Sequence, residues 1–311
     1  MSLALTVIVP ATNRPPTLGR CVAAIEPQIE AGDELIVVEE CATPGPAAAR
    51  NEGARRAAGD VLLFVDADVV VHPGALARVR AAFASDGSLA GLFGAYDDRP
   101  EAPGAVSRFR NLLHHHVHRQ AAGDVRTFWA GLGAIDRQAF DRAGGFDASR
   151  YPRPSIEDID LGVLITGQGG RIRCDPLLSG THLKRWTLGS MLRTDAFDRG
   201  APWVELLIRE RSAGRSGAAE LNLGPRHRIS ALASLSAALA AVARRPLVFL
   251  GSLGALVALN RDLYALLARR LGPARLPAAL GAHLLHHLAA VTSVPIGLVR
   301  GLRHRSGAPF T

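Results

Sequence analysis

Short apolar runs punctuate the first part of the chain, separated by longer mixed segments. Residues 5–9 read Leu-Thr-Val-Ile-Val, residues 35–38 Leu-Ile-Val-Val, and residues 61–65 Val-Leu-Leu-Phe-Val. Near-continuous apolar runs of this length predict strands covered on both faces, as in a parallel sheet. Between them, 15–26 carries proline at its start and 47–58 is rich in alanine, so both predict helices. Gly59-Asp60 then closes the second helix and opens the third strand. The order is β-α-β-α-β, a nucleotide-binding type of sheet. Right-handed crossovers bring the carboxyl ends of all three strands to one edge, where such sheets bind their ligands.

Chemistry collects at that edge. The third apolar run ends abruptly in Asp66-Ala67-Asp68, and the loops after the other two strands carry Asn13, Arg14, Glu39 and Glu40. Side chains two apart on an extended segment point to one face, so Asp66 and Asp68 together predict a site for one hard cation, which in turn holds a diphosphate. An Asp-rich turn that caps the following helix would leave the same three residues. The neighbouring motifs must decide between the two.

Composition narrows the partners. At 311 residues and 48% hydrophobic, the chain holds one large domain or a domain with an appendage. A net charge of +8 favours anionic partners such as nucleotide diphosphates or an acidic lipid surface. Nucleic acid is not expected, because aromatics are only 5%, the arginines are dispersed and no binding motif is present. Cys21, Cys41 and Cys174 lie far apart without metal-ligand spacing, which suits a reducing compartment. The sequence opens directly into a strand without a basic leader, which places the catalytic part on the cytoplasmic side.

Several ordered motifs together resemble family-2 glycosyltransferases of the GT-A fold. They are Val7-Ile8-Val9-Pro10-Ala11-Thr12-Asn13-Arg14, Ala49-Arg50-Asn51-Glu52-Gly53 and Asp66-Ala67-Asp68. The resemblance covers about two-thirds of the chain and is far more specific than an isolated Asp-x-Asp. It implies an α/β, Rossmann-like, mostly parallel sheet flanked by helices, with a nucleotide-diphosphate sugar lying across the strand ends. Pro10, Asn13 and Glu39 or Glu40 would then lie near the base and ribose, with Arg14 beside them, and Arg50 and Asn51 would face the same pocket. The family usually has aspartates where this chain has Glu39-Glu40, which leaves the nucleobase open.

The resemblance extends to later segments. Thr127-Phe128-Trp129-Ala130-Gly131-Leu132-Gly133 corresponds to the wall for donor sugar and acceptor; Trp129 offers a flat apolar face, and Gly131 is among the small residues that let a sugar approach the backbone. Glu157-Asp158 matches the family's Glu-Asp pair. Asp158 is read as the general base that deprotonates the acceptor hydroxyl, and Glu157 as a loop or acceptor contact. Processive relatives carry Gln-x-x-Arg-Trp where this chain reads His182-x-x-Arg185-Trp186, which argues for single additions. His182 would complete a Mn²⁺ or Mg²⁺ site with Asp66 and Asp68, and Arg185 or Lys184 would bind the leaving diphosphate next to Trp186. Of the two aspartates, Asp68 is assigned the metal and Asp66 the ribose or metal-bound water. His114-His115-His116-Val117-His118 lies outside the motifs and is read as a solvated, histidine-rich helix.

Beyond Trp203 the pattern changes. Residues 187–203 suit an amphipathic helix, lying on an anionic bilayer or packed on the catalytic domain. After a polar stretch, 229–243 and 247–259 carry no charge but are shorter than the roughly 20 residues that span a bilayer. Arg244-Arg245-Pro246 separates them, so a hairpin of short membrane helices or a re-entrant pair is expected. Residues 276–299 are longer but interrupted by Pro277, His283, His286, His287 and Pro295. A soluble helical domain would share this composition. The expected organisation is a catalytic domain over 1–205, a polar connector over 206–228, membrane-embedded helices over 229–302 and a tail over 303–311. The expected function is inverting, divalent-metal-dependent transfer of one sugar from a nucleotide-sugar to a lipid-linked or polyprenyl-linked acceptor at the cell membrane. Two alternatives are a catalytically silent nucleotide-sugar-binding subunit and a nucleotidyltransferase. The latter would carry a Gly-rich phosphate loop where this chain has Pro10-Ala11-Thr12-Asn13.

Overall fold

The computed structural model describes residues 3–214 and 224–305. The chain divides into two compact units, Met1–Glu101 with Val117–Lys184, and Ala102–His116 with Arg185–Thr311.

The first unit opens with β1 (Leu5–Pro10), α1 (Leu18–Ile25), β2 (Glu34–Val38), α2 (Pro46–Arg56) and β3 (Val61–Val65), the alternation that the apolar runs predict. Then come β4 (Val69–Val71), α3 (Ala75–Ser85), β5 (Leu89–Tyr96) and α4 (Ala105–Gln120), whose first part to His116 belongs to the second unit. The first unit closes with β6 (Gly123–Val125), β7 (Leu132–Asp136), α5 (Arg137–Ala143), α6 (Glu157–Gly167) and β8 (Arg171–His182). The sheet order is β2-β1-β3-β7-β5-β8-β4, with β6 also paired to β8. β1 pairs in parallel with β2 and β3, and β5 with β8, while β7, β4 and β6 run antiparallel to their neighbours. The result is a mixed, mostly parallel sheet with helices on both faces.

The strand runs are apolar at every position because each side of the sheet is a core. Val7, Val9, Leu63 and Val65 enter one cluster, and Ile8, Leu62 and Phe64 the other. Thr6 is the exception, fully buried, its hydroxyl donating to Glu34 Oε1 at 2.6 Å and accepting from Gly59 N–H at 2.9 Å. Helix α2 lies tight on β1 at Gly53, where an added Cβ would come 2.4 Å from Ile8 Cγ2. That close approach carries Arg50, on the same helix, toward the strand ends.

Two local expectations change. The helix predicted from residue 15 begins only at Leu18, because Pro15 and Pro16 hold the residue before each out of the helical region and a turn from Arg14 N–H to Ala11 O (2.8 Å) intervenes. The segment after β3 is not extended either. Val69 N–H donates to Asp66 O at 2.9 Å, so Asp66-Ala67-Asp68 forms a tight turn into β4.

The second unit holds the first part of α4, then α7 (Leu188–Arg193), a π-helical stretch (Thr194–Gly200), α8 (Ala201–Ser212), α9 (Pro225–Val242), α10 (Pro246–Leu259), α11 (Arg261–Leu271) and α12 (Leu276–Arg305). Its longer segment begins at Arg185, and position 205 falls inside α8. Of the predicted connector over 206–228, residues 215–223 lie outside the described ones, as do residues 306–311 of the tail. Helix α10 is apolar throughout, yet Leu247, Val248 and Leu250 are exposed and only Leu256 is buried. Among the described residues one helical stretch, Pro273–Leu302, is long and apolar enough to cross a membrane, with a mean hydropathy of 1.4 over its most apolar window and 39% of that window buried. α10 and α11 pass the same test only together and are bent by 84° at their junction.

Candidate active site

Long-range pairing builds the acidic centre. Strand β4 runs antiparallel to the end of β8 with Val69 opposite His182, and Leu183 N–H donates to Asp68 O at 2.8 Å. His182 Nε2 thereby lies 3.6 Å from Asp68 Oδ2, with His182 buried and Asp68 partly exposed. Burial opposes ionisation of Asp68, but the adjacent His182 and then Lys184 outweigh it and hold this carboxyl below the usual range. Behind His182 the ring of Tyr96, last residue of β5, stacks flat at 4.1 Å and 5°. Trp129 meets Tyr96 edge-on at 4.6 Å and packs on His118 at 4.4 Å. Sequence reading missed Tyr96; its only local signal was an aromatic residue closing a strand.

Asp66 takes a different partner. Arg50 spans from Asp66 Oδ1, at 2.7 Å, to Glu157 Oε1, at 2.8 Å, and its side chain is almost entirely buried. Burial works against the guanidinium charge, but Asp66, Glu157 and Asp158 outweigh it and hold the pKa above the ordinary value. Arg50 is therefore an internal tether, not a solvated helix residue. The other oxygen of Glu157 accepts from Ser155 N–H at 2.9 Å. Its neighbour Asp158, in the first turn of α6, accepts from Ala130 N–H at 3.1 Å, and Asp66 N–H donates to Gly131 O at 3.0 Å. The Trp129-Ala130-Gly131 loop thus ties the two acidic motifs together.

The structure brings together Asp66, Asp68, Arg50, Glu157, Asp158, Trp129, Gly131 and His182. Other candidates stand apart. Arg14, at a left-handed φ of 43°, pairs with Glu40 at 3.1 Å and approaches Glu39 at 3.8 Å, all three solvent-exposed at the ends of β1 and β2 near Pro10 and exposed Asn13. Both ends of the Asn51 amide are engaged by Phe146, donating to its carbonyl at 2.7 Å and accepting from its N–H at 2.9 Å. Asn51 therefore clamps the backbone just after the Gly144-Gly145 turn. Gly131 makes room for the Trp129 ring, which an added Cβ would meet at 2.4 Å. Arg185 and Trp186 open the second unit, where Trp186 is buried beneath the Arg110 guanidinium, 5.4 Å from its ring centroid. The histidine run on α4 is not solvated as predicted: His118 is buried against Phe93, Tyr96 and Trp129, and His114–His116 are half-buried.

The donor set fits a divalent ion. Bonds of about 2.0–2.2 Å from a carboxylate and an imidazole span up to about 4.3 Å, and the 3.6 Å between Asp68 and His182 falls within that reach.

The mixed α/β sheet, with its acidic groups beyond the carboxyl end of β3 and aligned over most of the chain's length with a solved glycosyltransferase, has the GT-A fold. That structure is the mannosyltransferase PcManGT from Pyrobaculum calidifontis, solved with GDP-Man and Mn²⁺: 17% identity, 98% of this chain and 88% of that one covered, TM-score 0.51. Similarity also extends to residues 1–349 of TarS from S. aureus (15% identity, 99% and 93% covered, TM-score 0.43). It reaches glucosyl-3-phosphoglycerate synthase from Mycobacterium tuberculosis as well (18% identity, 59% and 73% covered, TM-score 0.40). Among curated proteins none matches the sequence. Residues 40–144 match the model of Glycosyl transferase family 2, and together with the fold this match marks the chain as a glycosyltransferase. Asp66, Asp68 and Trp129 fall within the matched segment; Glu157, Asp158 and His182 lie beyond it.

Proposed function

We propose that the enzyme is an inverting, Mn²⁺- or Mg²⁺-dependent glycosyltransferase that adds one sugar from a nucleotide-diphosphate donor to an acceptor at a membrane surface. The observation that carries this reading is the meeting of Asp68 and His182 just beyond β3, with Asp158 held by Ala130 N–H in the loop that also takes the Asp66 N–H. A bound divalent ion supplies a Lewis acid for the departing diphosphate. Asp68 and His182 hold that ion, while Lys184, close enough to act on Asp68, adds positive charge on the same side. Asp158 accepts the proton of the acceptor hydroxyl as that oxygen attacks the anomeric carbon from the face opposite the diphosphate, which inverts the configuration. Arg50 keeps Asp66 and Glu157 fixed, so the acidic centre is organised before substrate arrives. Pro10, Asn13 and the Arg14–Glu39–Glu40 cluster take the base and ribose. A buried histidine where processive relatives carry glutamine supports single additions.

The membrane part of the reading rests on the second unit. Leu232, Leu239 and Val242 of α9 and Leu247, Val248 and Leu250 of α10 are exposed on two consecutive helices, an apolar surface of the kind that seeks lipid. The free, half-buried thiol of Cys41 suits a reducing compartment, in keeping with a catalytic unit on the cytoplasmic face.

The test is turnover of a panel of UDP-, GDP- and TDP-sugars by the purified protein with Mn²⁺ and a lipid acceptor, with the anomeric configuration of the product read by NMR. Inverted product is expected. Retained configuration, or equal turnover in excess chelator, would overturn the mechanism.

A further inference from the structure

Three histidines of the second unit converge on one point, and sugar transfer uses none of them. His227 sits in the first turn of α9, and His286 and His287 follow one another on α12. One ring nitrogen from each lies within 4.8 Å of the other two. Ring centroids are 4.8 Å apart for His227 and His287 and 5.1 Å for His286 and His287. His283, one turn earlier on α12, packs behind the group, its Nε2 3.0 Å from His287 Nε2.

The surroundings orient these rings as a metal site requires. His286 Nδ1 faces Asp195 Oδ2 at 2.7 Å, and Arg110 secures that carboxylate at 2.6 Å. An imidazole that donates one N–H to a carboxylate presents the lone pair of its other nitrogen, the arrangement found behind metal-bound histidines. The Tyr264 hydroxyl lies 3.0 Å from His283 Nδ1 and fixes that ring as well. His287 is 2% exposed, and among the described residues its Nδ1 is buried without a hydrogen-bond partner. A buried imidazole nitrogen left so is unfavourable, and one cation would satisfy it together with its neighbours.

We propose that His227, His286 and His287 bind one transition-metal ion of the zinc class, with water at the fourth position, and so fasten the start of α9 to α12. The choice of ion follows from the ligands. Neutral imidazoles select Zn²⁺, Co²⁺, Ni²⁺ or Cu²⁺ over Mg²⁺ and Ca²⁺, and the nearest carboxylate stands behind His286 rather than among the ligands. Tetrahedral bonds of about 2.0–2.1 Å set the nitrogens about 3.3 Å apart, a closure that rotation of the rings supplies. Through the His286–Asp195 contact the same ion also steadies the helical stretch that carries Asp195.

The test uses the full chain carrying Asp68→Ala, so that the sugar-transfer site does not compete, stripped with chelator and titrated with Co²⁺. The expected result is one equivalent bound with the intense visible absorption of four-coordinate cobalt. Zn²⁺ should displace it and raise Tm. His227→Gln, at the half-buried ligand, and His286→Gln should each weaken binding at least tenfold, and Asp195→Asn should weaken it less than either. His227→Gln protein whose metal-free Tm equals that of the parent shows the loss to be one of ligation. Weak six-coordinate absorption, or Co²⁺ affinity unchanged by His227→Gln and His286→Gln, would overturn the proposal.

Discussion

Replacing Arg50 with methionine removes the one cation between two buried or half-buried carboxylates. Glu157, only 6% exposed at its side chain, would lose its partner at 2.8 Å, and Asp66, 33% exposed, its partner at 2.7 Å. Stranding one member of a buried ion pair costs about 3–5 kcal/mol, and the Asp66 contact adds less because water reaches it. For a domain of this size that is a fall in Tm of about 6–20 °C. The reasoning also fixes a double-mutant result. Glu157→Gln in the Arg50→Met background deletes the stranded charge while a glutamine oxygen keeps the bond from Ser155 N–H, so the double variant should be more stable than Arg50→Met alone. The assay is thermal and urea unfolding of all four proteins. A loss below about 1 kcal/mol for Arg50→Met, or simple additivity of the two changes, would refute the claim that this arginine is a buried tether.

Gly53→Ala puts a methyl 2.4 Å from Ile8 Cγ2 and should cost about 1–3 kcal/mol in urea unfolding, with donor turnover falling because α2 carries Arg50 outward. Asp86, held by Arg171 and then Ser88, has its carboxyl pulled down to about 2. A depressed carboxyl stabilises above its unfolded value of about 3.9 and loses that stabilisation as pH falls toward 2, so Asp86→Asn should flatten the acid limb of urea midpoints between about pH 5 and 2 and leave the neutral region little changed. Leu247→Asp with Val248→Asp, at positions 83% and 52% exposed, should lower co-flotation with anionic vesicles about tenfold or more, given about 1.5–3 kcal/mol for each apolar side chain removed from water. Unchanged flotation would remove this face from the account of membrane attachment.

The sheet was legible because its signal is local. Val61 to Val65 are apolar at every position since both faces of β3 are covered, and no other short element produces that run between a glycine turn and two aspartates. The centre was legible only in residue types. Asp66 and Asp68 were read as partners on one extended face, whereas the turn closed at Val69 sends one to Arg50 and the other to His182. His182 reaches Asp68 through the register of β4 on β8, a pairing between distant segments that no nearby pattern encodes. Arg50 on an alanine-rich helix has the same sequence appearance whether it faces water or a buried pair of carboxylates. The contacts of Asn51 and Trp186 were equally illegible: the motifs that hold them give no sign of the backbone clamp made by one or of the burial of the other. The histidines of α12 weakened the reading of a simple span for a physical reason, since they lie inside the helical unit and not along its outer face.

The most direct test of the central claim separates donor binding from chemistry. Nucleotide-sugar binding by calorimetry, with and without Mn²⁺, should be paired with transfer rates for Asp68→Ala and Asp158→Asn, both checked for native Tm. Asp68→Ala should abolish the Mn²⁺-dependent part of donor binding. Asp158→Asn should bind donor as the parent does while transfer falls by about 10²–10⁴-fold, the loss of a general base. Mn²⁺-dependent binding that survives Asp68→Ala, or transfer at the parental rate in Asp158→Asn, would contradict the account.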